Sequence, residues 1–259
     1  MPESILKKSD RNFNADQIQT MGVDKLDCDY IIALAGNPNT GKSTVFNDLT
    51  GLHQHTGNWP GKTVTRAVGS FIYAETRYKV VDLPGTYSLL AITEDEVIAR
   101  DFILFGRPDV TVIVVDATCL ERNLNLVIQV LQITDRAVVA LNLMDEARRH
   151  NIGINYQQLS KILGVPVVPT VARYNKGIED LLISIHKVAT GQIICNPYRI
   201  KMESPMLNQA ADRLVKEIRA AYPNLSNARW VALRLIDGDK RIVDAFRSGE
   251  FNNMSNFTK

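Results

Sequence analysis

Residues 36–44 have the types and the spacing that bind phosphate groups. They read GNPNTGKST, in which Gly36, Gly41, Lys42 and Ser43 match the pattern G-x-x-x-x-G-K-[ST]. This pattern presents backbone N–H groups to an anion at the start of a helix, whose dipole also favours negative charge. Lys42 would reach the β- and γ-phosphates, and the Ser43 hydroxyl would ligate Mg²⁺. The other residues predicted to contact the nucleotide here are Asn37, Asn39, Thr40 and Thr44.

A second phosphate motif follows the predicted strand 78–82. It reads DLPG and has the form D-x-x-G, with Asp82 first and Gly85 last. We expect Asp82 to hold Mg²⁺ through a water molecule and the N–H of Gly85 to meet the γ-phosphate. A strand followed by Asp-x-Pro-Gly is also a common turn. The presence of the phosphate loop favours the functional interpretation of this motif.

The motif that would select the base comes after the predicted strand 137–142. It reads NLMD, and Asp145 can accept hydrogen bonds from the N1–H and the exocyclic amine of guanine, a donor pair that adenine lacks. Asn142 can tie this loop to the phosphate loop, and Met144 is also assigned to the base site. At the end of the next strand, the backbone of Val171 and Ala172 is expected to contact the base, with the Ala172 N–H on guanine O6. The sequence therefore predicts GTP rather than ATP.

A segment that we predict to be a loop, Gly51–Val68, separates the two phosphate motifs. A threonine in this position can place its hydroxyl on Mg²⁺ and its N–H on the γ-phosphate, which orders the segment only while that phosphate is present. Thr63 is our candidate, with Thr56 and Thr65 as alternatives. For Trp59 in the same segment, an anchor packed against the core and a role in closing the site are equally good interpretations.

The remaining pattern alternates strand-like runs with helix-length segments, which is typical of βαβ units in a mostly parallel sheet. The short polar stretch Glu75–Arg77 predicts a hairpin and hence one antiparallel strand. The fold class that follows is α/β, a Ras-like P-loop fold with a mixed, mostly parallel six-stranded sheet. The predicted strands are Tyr30–Ala35, Gly69–Ala74, Tyr78–Asp82, Val110–Asp116, Ala137–Asn142 and Pro166–Thr170; the helices between the later ones are Glu121–Ile133, Asn155–Leu163 and Gly177–Ala189.

Beyond residue 199 only helical periodicity remains. One helix starts at Ser204-Pro205 and stops at Tyr222-Pro223, a second ends near Asp237-Gly238, and a third covers Lys240–Phe246. We therefore expect three regions: an N-terminal extension of unknown role (1–29), a nucleotide-binding domain (30–199) and a small all-helical domain (200–259).

The composition argues against two classes of protein. The chain has 30 basic and 28 acidic residues, a net charge of +2, so bulk charge favours no nucleic-acid partner. Its wholly apolar runs, such as Val112–Val115 and Ala137–Leu141, are far shorter than the roughly 20 residues of a membrane helix.

With these segments identified, the chain resembles the N-terminal cytosolic part of the FeoB family, bacterial ferrous-iron transporters with an intracellular GTPase domain. The resemblance spans about residues 30–249. It rests on the stretches GNPNTGKSTVFNDLTG, GNWPGKTVTR, VVDLPGTYSL, LNLMD, PVVPTVARYNKGIEDL and RWVALRLIDGD. The GNWPG loop together with DLPGTYSL is specific to that family, whereas the phosphate loop is not.

The resemblance implies a GTPase that regulates or drives ferrous-iron uptake through a membrane permease of the same protein, at the cytoplasmic face of the bacterial inner membrane. It implies a helical domain that favours GDP retention, and it leaves room for homo-oligomers and small iron-transport accessory proteins as partners. On this expectation the chain is a fragment that ends before the helical domain is complete.

The mechanism is expected to lack a side-chain base. Thr86 occupies the position where many relatives of Ras carry a water-orienting glutamine. The resemblance implies a potassium ion as compensating charge, held by Asn39 and by backbone carbonyls around Gly57 and Trp59. An amide that only stabilises the loop is the alternative role for Asn39. The catalytic assignments are therefore Lys42, Thr63 and Gly85.

Two other functions share these motifs. A translation or ribosome-assembly GTPase would need an RNA-binding module. Neither the net charge nor a sequence motif indicates such a module. A GTP-binding scaffold that hydrolyses too slowly to matter remains open because the glutamine is absent. Iron contacts by His53 and His55, or by Glu94, Asp95 and Glu96, are weaker hypotheses than a solvated loop and a solvated helix start.

Overall fold

The chain divides into two compact units, of which the first ends at Tyr198 and the second begins at Arg199. This computed structural model describes residues 18–24, 27–51, 54–90, 93–200, 204–223, 225 and 227–251.

A mixed seven-stranded sheet forms the core of the first unit, with strand order β2-β3-β4-β1-β5-β6-β7. The strands β4, β1, β5, β6 and β7 are parallel, and β3 and β2 add antiparallel at one edge. Every residue of β6 is buried, as expected for a parallel strand inside an α/β layer. The strands are β1 (Tyr30–Gly36), β2 (Gln54–Asn58), β3 (Thr65–Tyr73), β4 (Thr76–Asp82), β5 (Val110–Asp116), β6 (Ala137–Asn142) and β7 (Val167–Pro169).

Helices connect the strands, and their ends follow local capping chemistry. Thr93 and Glu96 form a capping box at the start of α2, and Gly164 in the left-handed region ends α5. The helices of this unit are α1 (Lys42–Thr50), α2 (Glu94–Asp101), α3 (Leu120–Ile133), α4 (Met144–Arg149), α5 (Tyr156–Leu163) and α6 (Ile178–Ala189), with a π-helical turn at Phe102–Gly106. The α/β class with a mostly parallel sheet is confirmed.

The predicted count of six strands is wrong, because part of the segment predicted as a loop is a hairpin. Trp59, Pro60, Gly61 and Lys62 form its turn: the Lys62 N–H donates to the Trp59 carbonyl at 3.0 Å, and Gly61 has a φ of 67°. Proline followed by glycine with positive φ is the signature of a type II turn. This turn lets Gln54–Asn58 add to the edge of the sheet as β2 and lets β3 begin at Thr65 instead of Gly69.

The hairpin predicted near Glu75 is confirmed, but its loop is shorter than expected. Tyr73 pairs with Thr76, so Ala74 and Glu75 alone make the connection. Both have positive φ, 47° and 60°. Two-residue hairpin loops with this conformation match the right-handed twist of the flanking strands.

The described part of the second unit is helical: α7 (Pro205–Ala221), α8 (Ala228–Ile236) and α9 (Lys240–Ser248). The Ser204 hydroxyl caps α7 and Pro205 occupies its first turn, as predicted. Phe246 stacks on Phe251 and meets Tyr222 edge to face, with centroid distances of 4.3 and 5.4 Å. Among the residues described in either unit, no helix has the length and apolar character needed to cross a membrane.

Gly164 and Gly191 provide a matched test of the contact between the end of α5 and the segment at Asn196. Both have positive φ, 69° and 76°, but a Cβ on Gly164 would lie 1.7 Å from the Asn196 carbonyl oxygen, whereas Gly191 faces open space. We expect Gly191→Ala to lower the free energy of unfolding by about 1–2 kcal/mol, the cost of the left-handed backbone. Gly164→Ala should cost about 3 kcal/mol or more, because the backbone must also move. Urea unfolding measures both, and equal losses would contradict the close approach.

Candidate functional site

Four segments with candidate site residues leave the sheet at the carboxyl ends of β1, β4, β6 and β7. The register places Leu34 beside Asp82, which puts the second phosphate motif level with the start of the phosphate loop. The parallel pairing of β6 with β7 brings the base motif and the segment after Pro169 to the same edge. Ligands of open α/β sheets bind at this edge.

The phosphate loop joins β1 to α1 and leaves the start of that helix open. Gly41, at the N-cap, has a φ of 80°, and no side chain of the described residues caps the helix. Its first turn contains no acidic residue. A Cβ on Gly41 would lie 2.4 Å from Nδ2 of Asn142, so only glycine allows this approach. The uncapped N–H groups suit an anion.

The side chains of this loop have different environments. Asn37 is buried, 3% exposed, and both its amide nitrogen and its oxygen lack a hydrogen-bond partner among the described residues. Thr40 is also buried, and its hydroxyl donates to the Asn37 carbonyl at 2.9 Å. Asn39 is exposed with a φ of 65°, and Ser43 is exposed as well. Because buried polar groups are nearly always paired, the orphaned Asn37 amide fits a site that a polar ligand completes.

Lys42 and Asp82, assigned to the phosphates and to magnesium, contact each other directly. Lys42 Nζ lies 2.5 Å from Asp82 Oδ1, and the two side chains are only 11% and 17% exposed. Burial raises the pKa of Asp82, and the ammonium of Lys42 opposes that rise. A magnesium nucleotide would have to open this ion pair to reach either group.

The DLPG motif lies against the phosphate loop. The N–H of Leu83 donates to the Leu34 carbonyl at 2.9 Å, and the N–H of Thr86 donates to the Gly36 carbonyl at 3.2 Å. A Cβ on Gly85 would lie 3.5 Å from Pro38. The structure therefore brings Gly85 and Lys42 to the same site, as predicted.

Asn142 joins the phosphate loop to the base loop. It is 1% exposed, and its Nδ2 donates to the Thr40 carbonyl at 3.0 Å. Its Oδ1 accepts from the Thr170 hydroxyl at 3.2 Å and from the Ala172 N–H at 3.0 Å. The tie between the two loops was predicted, but the contribution of Thr170 was not.

In this structure the N–H groups of Val171 and Ala172, which the sequence assigns to the base, have protein partners. The N–H of Ala172 is committed to Asn142, and the N–H of Val171 donates to the Lys176 carbonyl at 2.9 Å. The 3₁₀ turn Ala172–Tyr174 begins here, and a bridge between Val171 and Lys176 closes it. Neither donor is free for guanine O6 in this structure.

Replacing Asn142 tests the link between the loops. Asn142→Ala would leave the Thr40 carbonyl, the Thr170 hydroxyl and the Ala172 N–H buried without their partner. We expect a loss of about 1–3 kcal/mol in the free energy of unfolding for each group that water cannot reach. Asn125→Ala, on the exposed face of α3, is the matched control and should change stability little. Chemical unfolding of both variants measures the difference; a neutral Asn142→Ala would contradict the link.

Asp145 is held by basic side chains at the edge of the site. Its Oδ2 contacts the guanidinium of Arg173 and lies 3.6 Å from that of Arg149, and its side chain is 23% exposed. Partial burial alone would raise the pKa of Asp145, but the hydrogen bond from Arg173 and nearby backbone donors bring it below the ordinary value. Oδ1 is buried without a hydrogen-bond partner among the described residues. The carboxylate is thus charged and has one acceptor unused.

Thr63, our candidate for Mg²⁺ and the γ-phosphate, makes no hydrogen bond to the phosphate loop among the described residues. Thr63 is exposed near the turn between β2 and β3, and its alternatives Thr56 and Thr65 are exposed in those strands. The Trp59 carbonyl, assigned to potassium, accepts the Lys62 N–H. Gly57 pairs with Arg66 within the sheet.

Trp59 is the buried anchor of this hairpin. It is 4% exposed and meets Phe102 edge to face at a centroid distance of 5.5 Å. The anchor interpretation is therefore the one that this conformation supports.

Two of the weaker candidates for iron contact have protein partners. Glu96 caps α2, and Glu94 pairs with Lys62 at 3.0 Å. His55 is exposed, and His53 lies outside the described residues. Among the residues that the structure describes, no group of three or more His, Cys, Asp or Glu side chains is placed to hold a metal ion.

Arg173 contacts the base motif, although the sequence analysis assigns it no role. Its side chain is 41% exposed, yet it contacts Asp145, lies 3.2 Å from Glu146 and packs over the ring of Tyr174. No local sequence signal names these partners, because Arg173 and Asp145 lie on segments that follow different strands.

Comparison with known proteins identifies the family. The family model described as Ferrous iron transport protein B matches residues 30–185. The Fe(2+) transporter FeoB of Escherichia coli strain K12 is 43% identical over 212 residues, covering 80% of this chain and 27% of that relative. The chain thus spans about a quarter of the length of the curated relatives it matches.

Two solved structures are similar to this chain in both sequence and fold. The cytosolic domain of T. maritima FeoB in GDP form I is 34% identical with a TM-score of 0.75, covering 83% of each chain. The FeoB G domain from Methanococcus jannaschii is 48% identical with a TM-score of 0.56, covering 62% of this chain and 97% of that one. The chain therefore belongs to the FeoB family of ferrous iron transport proteins, and residues 30–185 are its N-terminal G-domain region.

Proposed function

We propose that this chain binds GTP and GDP at the four strand-end segments and hydrolyses GTP to GDP and phosphate. The observation that carries the proposal is the Asn142 side chain, which couples the phosphate loop to the loop that holds Asp145. Lys42 binds the β- and γ-phosphates, the Gly85 N–H meets the γ-phosphate, and Asp145 selects guanine. The GDP form of the T. maritima cytosolic domain supports a guanine nucleotide as the ligand.

Magnesium fits the donors at this site. The exposed Ser43 hydroxyl and the Asp82 carboxylate are hard oxygen ligands of the kind Mg²⁺ prefers, and Thr63 would join them if the hairpin moves. When bound, the ion neutralises charge on the phosphates. Lys42, once free of Asp82, would face the γ-phosphate.

Hydrolysis in this chain relies on positioning rather than on a side-chain base. Thr86 is buried, and its hydroxyl donates to the Ser88 carbonyl at 2.5 Å, so it is not available to orient water. Backbone donors such as the Gly85 N–H remain. We propose that a potassium ion would supply the charge of an arginine finger, and that Asn39 and backbone carbonyls around Gly57 and Trp59 would hold it. Asn39 is exposed and suits this role, whereas the Trp59 carbonyl must first leave Lys62.

In the whole protein, we propose that GTP turnover regulates or drives ferrous-iron uptake through a membrane permease at the cytoplasmic face of the bacterial inner membrane. Permease, further copies of the chain and small accessory proteins are the proposed partners, and nucleic acid is not. We propose that the helical unit after Arg199 favours GDP retention. Family membership favours this function over that of a ribosome-assembly GTPase.

Ion substitution tests the hydrolytic mechanism. In single-turnover assays with Mg²⁺, we expect GTP cleavage to be several-fold faster in potassium than in sodium chloride of equal ionic strength. Equal rates would remove potassium from the mechanism, and no cleavage in either salt would favour the scaffold. Titration with GDP and ADP is the companion measurement: equal affinities would contradict the nucleotide assignment itself.

A further inference from the structure

Residues 18–24 precede the family match, yet they pack against the hairpin that carries Thr63. The segment forms a turn, in which the Val23 N–H donates to the Ile18 carbonyl at 3.0 Å. Ile18 and Val23 are buried, at 0% and 1% exposure. Met21 lies against the π-helical turn, since a Cβ on Gly106 would be 3.3 Å from its sulfur. The segment is therefore docked on the first unit.

Arg66 connects this segment to the turn of the hairpin. Its Nη1 donates to the Met21 carbonyl at 2.8 Å, and its guanidinium carbon lies 5.7 Å from the centroid of the Trp59 ring. Gly22 approaches so closely that a Cβ there would lie 2.1 Å from Arg66 Nη1 and 3.1 Å from Pro60. Trp59 is thus held by Arg66 as well as by Phe102.

Two buried hydrogen-bond donors around Trp59 lack a partner in the part of the chain that the structure describes. The Nε1 of Trp59 and the Nε of Arg66 are both buried without a hydrogen-bond partner among the described residues. Burial lowers the pKa of Arg66, although the guanidinium keeps its charge. Unpaired buried donors lower the stability of this conformation of the hairpin. The binding energy of a ligand can therefore shift the population towards another position of the turn.

We propose that the contact of Arg66 with Met21 and Trp59 is a restraint on the hairpin. It holds the hairpin in a position where Thr63 makes no hydrogen bond to the phosphate loop, and so lowers affinity for the triphosphate but not for the diphosphate. The inference rests on the proposed function, in which only the γ-phosphate recruits Thr63. A ligand's apparent affinity falls by the fraction of molecules in the competent state, so a contact that favours the other state weakens binding of GTP alone.

The test uses Arg66→Ala in the 259-residue chain with Trp230→Phe, which leaves Trp59 as the sole tryptophan. Dissociation constants for GDP and for a non-hydrolysable GTP analogue are measured with Mg²⁺. We expect the analogue to bind about 5- to 30-fold more tightly to Arg66→Ala than to the parent, and GDP to bind equally to both. This range of affinity ratios corresponds to the free energy of fixing the backbone of about one residue. Loss of a positive charge alone would weaken binding of the more negative analogue, so the expected direction is opposite to a simple charge effect.

Gly22→Val should displace residues 18–24 from Arg66. We therefore expect it to raise the affinity for the analogue relative to that for GDP, as Arg66→Ala does. Arg77→Ala is the matched control, because Arg77 is exposed and lies at the far end of the β3–β4 hairpin. Trp59 fluorescence without nucleotide should shift to longer wavelength in both test variants. An unchanged or inverted ratio of the two affinities overturns the restraint, even if GDP still binds in preference to ADP. Loss of that base preference in the parent would instead overturn the proposed function.

Discussion

Replacing Asp145 with asparagine is expected to turn a preference for guanine into a preference for xanthine. A carboxylate accepts two donors from the guanine edge, whereas asparagine offers one acceptor and one donor, which match the N1–H and the C2 carbonyl of xanthine. Sites that pair buried polar groups with a base discriminate by roughly 10⁴–10⁵, so we expect the ratio of GTP to XTP affinity to change by about 10⁴. Competitive titration with both nucleotides gives this ratio.

The control for this variant is Glu146→Gln. Glu146 shares Arg173 and Arg149 with Asp145, at 3.2 and 2.5 Å, but the base motif assigns it no contact with guanine. Glu146→Gln therefore measures how the loss of these exposed ion pairs alone changes nucleotide affinity, and we expect that change to be small. If Asp145→Asn and Glu146→Gln weaken GTP equally and neither gains XTP, Asp145 does not read the base.

The segments that build this site could be predicted from sequence because their chemistry is local. A phosphate loop, DLPG and NLMD each follow an apolar strand, and parallel strands deliver their carboxyl ends to one edge. The pairing of Asn142 with the Thr40 carbonyl follows from that placement. Glycine positions were equally informative, since Gly41 is required by the approach of Asn142.

The parts that were missed depend on tertiary contacts. The strand β2 reads QHTGN, which has no apolar alternation, and it forms because the edge of β3 offers hydrogen bonds to any extended chain. The hydrogen bond from the Ala172 N–H to Asn142 depends on a 3₁₀ turn that no strong local signal specifies. Arg173 found Asp145 through space, and surface charges carry no sequence signal that names their partners.

Lys42→Ala is expected to have the second largest effect, because it removes the only positive charge that the phosphate motif supplies. Loss of one preorganised group that stabilises transition-state charge costs about 10²–10³ in rate, and we expect kcat/KM for GTP to fall by at least this factor. GDP affinity should fall less, since Lys42 also serves the γ-phosphate, which GDP lacks. Single-turnover hydrolysis and GDP titration separate the two effects.

The same variant tests the Lys42–Asp82 ion pair in the free protein. Without the ammonium, burial alone acts on Asp82, so its folded pKa should rise further above its unfolded value. An acid with a raised folded pKa destabilises the fold when ionised, so the variant should recover stability relative to the parent as pH falls through that pKa. Lys161→Ala is the control, because Lys161 is an exposed lysine in the last turn of α5, and neither its hydrolysis rate nor its pH profile should change much. If Lys42→Ala and Lys161→Ala have similar kcat/KM, the phosphate loop of this chain does not use its lysine, and the assignment of the site to a triphosphate is contradicted.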